Sequence, residues 1–193
     1  PAASDGAYRG RENGAGNLSF TAFSSYSRIG NFWRRDGAST PSPVMTYAEV
    51  LFLQAEAAER GWITGSAAAL YLEGIQASMD LYDKYDVGPS DTEVSTYLGQ
   101  SVIAYAGGGT GLVQINRQKW IALWMNAAEA WANWRRTDIP TLTAGPDLRV
   151  DRIPIRFSYP DSEQSLNLDN MNAAVSRQGG GLDLITPVWW DGT

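Results

Sequence analysis

"MTYAEVLFLQAEAAERG", residues 45 to 61, decides the fold class of this chain. Tyr47, Val50, Leu51, Ala55, Ala58 and, just beyond, Trp62 recur at three- and four-residue steps. On an α-helix those positions share one face, whereas Glu49, Glu56, Glu59 and Arg60 fall largely elsewhere. Thr46 followed three residues later by Glu49 forms a capping-box pattern, in which each side chain satisfies the other's exposed backbone amide. The pattern predicts a helix that begins at Tyr47 and stops at Gly61.

Working outward, Ser66 can cap a second helix through about Tyr85, with Tyr71, Leu72, Ile75, Met79 and Tyr82 as its apolar stripe and Gly88-Pro89 as its end. Two helices joined by so short a connection make an antiparallel hairpin. Ser90-x-x-Glu93 is a second capping box and opens a short helix. Beyond the flexible "AYAGGGTG" (104–111), the periodicity predicts one long helix from about Leu112 to Thr137, stopped by Asp138-Ile139-Pro140. Residues 1–45 and 138–193 read as irregular, apart from a short helix near Leu168 to Val175. The expected fold is mainly α: tetratricopeptide-like helical hairpins with long irregular loops, since such repeats pair two helices in about 34 residues.

Four of the eight tryptophans, Trp120, Trp124, Trp131 and Trp134, lie in "QKWIALWMNAAEAWANWRRT" (118–137). On a continuous helix they fall within an arc of roughly 80°, which makes them a core face and leaves Gln118, Asn126, Asn133 and Arg135 on the polar side. The loop tryptophans differ. Trp33 in "NFWRRD" and the pair Trp189-Trp190 in "PVWWDG" can present rigid rings to the apolar face of a sugar while nearby polar groups bond its hydroxyls. Trp33, Arg34 and Tyr26 are therefore candidate ligand contacts, with Trp189 and Trp190 as a second choice; the competing reading is that these aromatics pin loops to the body.

Composition narrows the chemistry. The 193 residues carry a net charge of −6, with 15 basic side chains in small groups such as Arg34-Arg35, a poor match to a phosphate backbone. With no cysteine and no histidine, disulfides, thiolate sites, a cysteine nucleophile and the commonest general base are excluded from this chain. Carboxylates offer no pair marked by spacing as general acid and base: Glu56 and Glu59 read as solvated, Glu129 as an arginine partner, Asp161 and Glu163 as loop residues. No catalytic residue, metal ligand or cofactor is assigned, and the chain is not read as an enzyme.

Several separate segments together point to a family. "MTYAEVLFLQAEAAERG", "QKWIALWMNAAEAWANWRRTDIP", "RIPIRFSYPDSEQSLNLDN" (152–170) and "DLITPVWWD" (183–191) occur in an order that resembles the C-terminal portion of SusD-like (SusD/RagB) outer-membrane nutrient-binding lipoproteins. The resemblance runs from about residue 26 to the end. It implies tetratricopeptide-like helix pairs and a protein that binds oligosaccharides or other nutrients without cleaving them, at the cell surface, for a TonB-dependent SusC-like transporter. It further implies an N-terminal portion of the same protein, absent here, that carries a lipidated cysteine as the outer-membrane anchor. None of the resembling segments is itself a binding motif, so the five candidate residues rest on the residue reading alone. A helical-repeat scaffold that docks only proteins, with no small ligand, is the alternative.

Overall fold

The computed structural model describes residues 5–11, 24–34, 40–145, 152–181 and 183–191. Among them are eight helices and no strand: α1 (Asn31–Arg34), α2 (Tyr47–Glu59), α3 (Ala67–Asp83), α4 (Asp91–Leu98), α5 (Gly108–Ala122), α6 (Ala127–Thr137), α7 (Asp161–Leu166) and α8 (Leu168–Arg177). They belong to two compact units, one formed by residues 31–141 and the other by residues 1–30 with 142–193.

The helical unit is built on the α2–α3 hairpin, against which α5 packs. Thr46 caps α2, accepting the Glu49 amide at 3.2 Å, Ser66 caps α3 by accepting from Ala69, and Ser90 and Glu93 form a reciprocal box at the start of α4. Gly61 ends the first helix with φ +71°, a conformation that costs glycine nothing. Leu51 and Ala55 are buried as the stripe predicts, but Phe52, which the stripe leaves out, is the fully buried centre of the core with Tyr71, Ile75 and Ile115. Burying each of these large side chains contributes roughly 1.5–3 kcal/mol. Gly74 makes the close approach possible, because a Cβ there would stand 2.8 Å from the Phe52 ring. Tyr71 donates its hydroxyl to the Ile103 carbonyl at 3.0 Å, so its buried polar end is satisfied, and burial pushes its pKa up to about 12.

Other parts of the pattern are corrected. Tyr47 and Trp62, placed on the core face, are 63% and 71% exposed, because the hairpin covers only the middle of the α2 stripe. Glu49 and Glu56, placed on the solvated side, are buried, and the reason lies far away in the chain. Lys119 of α5 comes to 3.8 Å from Glu49, and Arg136 of α6 grips Glu56 with two bonds of 2.7 Å while Arg60 donates a third at 3.0 Å. Glu49 therefore does not return the Thr46 cap: its carboxylate turns inward. Glu59 stays half-exposed, but its carboxylate is engaged: it accepts from the Tyr105 hydroxyl and from the Gly108 amide. A carboxylate at that position favours a helix start, and α5 accordingly begins at Gly108, before the expected Leu112.

The long helix predicted over 112–137 is two helices. α5 ends at Ala122 and α6 starts at Ala127, with Met125 between them in the left-handed region at φ +68°. The bend buries Leu123 and lets the Asn126 side chain donate to the Val44 carbonyl at 3.1 Å. It also breaks the expected common tryptophan face. Trp134 is buried and donates its indole N–H to the Pro140 carbonyl at 3.1 Å; Trp120 and Trp131 are half-buried, and Trp124, at the break, is 49% exposed. The Arg135 guanidinium lies over the Trp131 ring at 4.4 Å. Gln118 and Asn133, assigned to the polar side, are buried instead: Gln118 bonds the Tyr97 hydroxyl, and Asn133 accepts from Arg136.

The second unit is tied together by short polar links. Ser27 donates its amide to the Arg9 carbonyl at 2.9 Å and accepts the Arg9 amide on its hydroxyl at 2.7 Å. Ile155 and Arg156 both donate to the Leu184 carbonyl, while the nearly buried Arg156 side chain bonds Gln178 at 3.0 Å and lies over the Tyr159 ring. α8 appears where a short helix is expected, extended to Arg177, whereas α7 falls in a segment read as irregular; Pro160, which fixes its own φ, stands at the N-cap of α7. The four-residue α1 likewise interrupts the irregular 1–45.

Candidate functional site

In the helical unit, Trp33 and Arg34 share α1. Trp33 is half-buried and meets Phe32 and Tyr82 edge-on, at centroid distances of 5.1 and 6.0 Å, while Phe32 tilts against Tyr85 at 5.3 Å. Thr40 donates to the Phe32 carbonyl at 2.5 Å. These contacts fasten α1 to the C-terminal end of α3 and fix the orientation of the Trp33 ring. Arg34 is exposed, and its guanidinium bonds the Asn31 side chain at 2.9 Å.

The other three candidates belong to the second unit. Tyr26 is half-buried in a turn region. Trp189 and Trp190 occupy one turn closed by the Asp191 amide donating to the Val188 carbonyl at 2.9 Å. Trp189 is 90% exposed, an arrangement that puts a rigid aromatic ring in water, and Trp190 is 44% exposed. The structure thus gathers Trp33 with Arg34 on one helix and Trp189 with Trp190 on one turn.

Sequence reasoning missed a concave feature of the helical unit. Residues 41–47, with Pro41 and Pro43, run beside α3 and enclose a groove of about 670 Å³ whose opposite wall is Glu73, Gln76, Ala77, Asp80, Leu81 and Lys84. The exposed Tyr47 ring is held over it by a 2.8 Å bond from its hydroxyl to Glu73, which also raises the pKa of that hydroxyl. Gln76 donates to Asp80 at 2.7 Å. The available signal was the spacing of Glu73, Gln76 and Asp80 at three and four residues on the polar face of α3, opposite the Tyr71–Ile75 stripe. It was obscured because Tyr47 fits the α2 core pattern equally well.

The ionisable groups inside the scaffold are occupied with each other. Burial works to raise the Glu56 pKa, but the hydrogen bonds and charges of Arg136 and Arg60 outweigh it and hold Glu56 below the usual range. Burial raises the Glu49 carboxyl and lowers the Lys119 ammonium. These groups have the geometry of a structural ion-pair core, with both Glu56 oxygens engaged. No cluster of three metal-ligating side chains is found among the described residues, and none of their helices is long and apolar enough to cross a membrane.

Paired antiparallel helices around a small core, with aromatic side chains displayed on turns, define a helical-repeat scaffold of the tetratricopeptide kind. The chain belongs to the SusD-like family described as starch-binding and associating with the outer membrane, whose sequence profile matches residues 2–160. Among solved structures it is similar to a SusD-like protein of the Bacteroidetes, with 38% identity and a TM-score of 0.73 over 79% of this chain and 31% of the other. A chitin-binding protein matches with 37% identity and a TM-score of 0.66, over 76% of this chain and 33% of that one. A SusD homologue from Bacteroides fragilis matches with 28% identity and a TM-score of 0.78 over 96% of this chain. The chain spans 44% of that homologue's length, and about a third of the other two. No curated protein matches it in sequence.

Proposed function

We propose that this chain is part of a non-catalytic glycan-capture protein of the outer membrane, which binds oligosaccharides at the cell surface and passes them to a SusC-like TonB-dependent transporter. The observation that carries the reading is the 37% identity to a chitin-binding protein across three quarters of the chain, within a family described as starch-binding. The Trp189-Trp190 turn supports it, because an indole 90% exposed gives a sugar ring an apolar face to stack on. Trp33 and Arg34 form a second contact, the ring pre-oriented by Phe32 and Tyr82 and the guanidinium available to hydroxyl oxygens. Tyr26 contributes a further aromatic edge. The anchor is a lipid on an N-terminal cysteine in the remainder of the protein, and the transporter docks against the same whole protein.

The test compares the whole protein with its Trp189→Ala and Trp33→Ala variants on a polysaccharide affinity panel that includes starch and chitin. The reading expects one polysaccharide class to be retained, with weaker retention for Trp189→Ala at unchanged helicity. Equal retention of all three proteins would remove these residues from the site, and retention of none on any polysaccharide would remove glycan capture.

A further inference from the structure

We infer that the groove between residues 41–47 and α3 is a further saccharide-contact site, one that accepts neutral or amino sugars and rejects acidic ones. The inference rests on the glycan-capture reading and adds to it a location and a charge selectivity.

The groove has the properties of a prepared site. Its volume of about 670 Å³ lies within the range of small-ligand pockets, roughly 300–1,000 Å³. Tyr47 is 63% exposed yet held in place at its hydroxyl by Glu73, so its ring face is presented without first having to be ordered. Gln76 and Asp80 are likewise held to one another, and a paired amide and carboxylate side by side supply donors and acceptors for the vicinal hydroxyls of a pyranose. Pro41 and Pro43 restrict the backbone of the facing wall, and Asn126 anchors it by donating to the Val44 carbonyl. Met45, 66% exposed, extends the apolar floor beside Tyr47, a surface suited to a ring face or the methyl of an acetamido group.

Charge sets the selectivity. The lining holds two carboxylates, Glu73 and Asp80, and one ammonium, Lys84, all along the α3 wall, so the groove is net negative. A uronic acid brought there meets like charge, while a neutral sugar gains carboxylate-strengthened hydrogen bonds and a protonated amino sugar gains an attraction as well.

The experiment titrates the whole protein with chitohexaose, partly deacetylated chitosan oligosaccharides and oligogalacturonate, alongside Tyr47→Ala and the double variant Glu73→Gln/Asp80→Asn. All lie at exposed positions, and circular dichroism checks that each variant keeps its helicity. The expected result is binding of one or both amino-sugar probes and none of oligogalacturonate. Tyr47→Ala should weaken it roughly threefold to tenfold, the worth of one aromatic contact. The double variant should weaken the deacetylated probe more than the acetylated one. Amino-sugar binding with unchanged affinity in both variants would overturn the groove site and leave glycan capture standing. Preferential binding of oligogalacturonate would overturn the selectivity, and binding of no saccharide, starch included, would overturn both readings.

Discussion

Replacing Lys119 with methionine removes the charge that faces Glu49 while nearly preserving side-chain length. Both side chains are 3% exposed, and the ammonium stands 3.8 Å from one carboxylate oxygen. Among the described residues the other oxygen, Oε2, has no hydrogen-bond partner. Stripping one partner from a buried pair leaves an uncompensated charge, which costs about 3–5 kcal/mol. The pair itself is a different matter. Glu49 has a raised pKa, so its contribution to stability is present below the unfolded carboxylate range and is lost as pH rises through the folded value. Lys119 has a lowered pKa, so its contribution is present above the unfolded lysine range and is lost as pH falls through the folded value. Each group is therefore charged in the fold only at a net cost from its burial. Lys119→Met alone should lower stability by about 3–5 kcal/mol in urea unfolding near neutral pH, and the deficit should shrink as pH falls and Glu49 takes up a proton. Glu49→Leu combined with Lys119→Met should return to within about 1 kcal/mol of the wild type or exceed it. A double variant as unstable as the sum of its parts would refute this account of the pair.

Three further predictions concern the same scaffold. Gly74→Ala, which sets a methyl 2.8 Å from the rigid Phe52 ring, should cost about 1–3 kcal/mol by thermal unfolding. Tyr71→Phe leaves the buried Ile103 carbonyl without its donor and should cost about 1–3 kcal/mol, read from the urea midpoint. Glu56 is depressed by Arg136 and Arg60, so its contribution is present above the unfolded carboxylate range and is lost as pH falls through the folded value; Glu56→Gln should flatten the acid limb of a stability-against-pH curve.

What could be read from the sequence was local. Ser66, Ser90 and Glu93 announce their helices because a cap depends on residues three apart, and the Leu51, Ala55, Tyr71 and Ile75 stripes survive because a hairpin buries facing helices as the periodicity says. What could not be read was long-range or single-residue. Glu56 looks solvated until the partly exposed guanidinium of Arg136, 80 residues later, reaches in to cover it. The helix break rests on one methionine in the left-handed region, a conformation that no periodicity signals and that methionine rarely adopts. Once the chain bends there, the tryptophans before and after it no longer share a face. The candidate site shows the same division: exposed Trp189 was legible as a loop tryptophan, whereas the groove joins Tyr47 to α3 across the hairpin, and its Tyr47–Glu73 bond spans 26 residues. The family itself was legible because its segments recur in order, independently of any contact.

Glycan capture without cleavage is proposed for the whole protein of which this chain is part. Its most direct test is isothermal titration of the whole protein with a soluble oligosaccharide of the class retained on the affinity panel, followed by mass analysis of that oligosaccharide after prolonged incubation. Saturable binding with the chain length of the sugar unchanged is the predicted result. Progressive shortening of the sugar, or the absence of heat with every class tried, would contradict it.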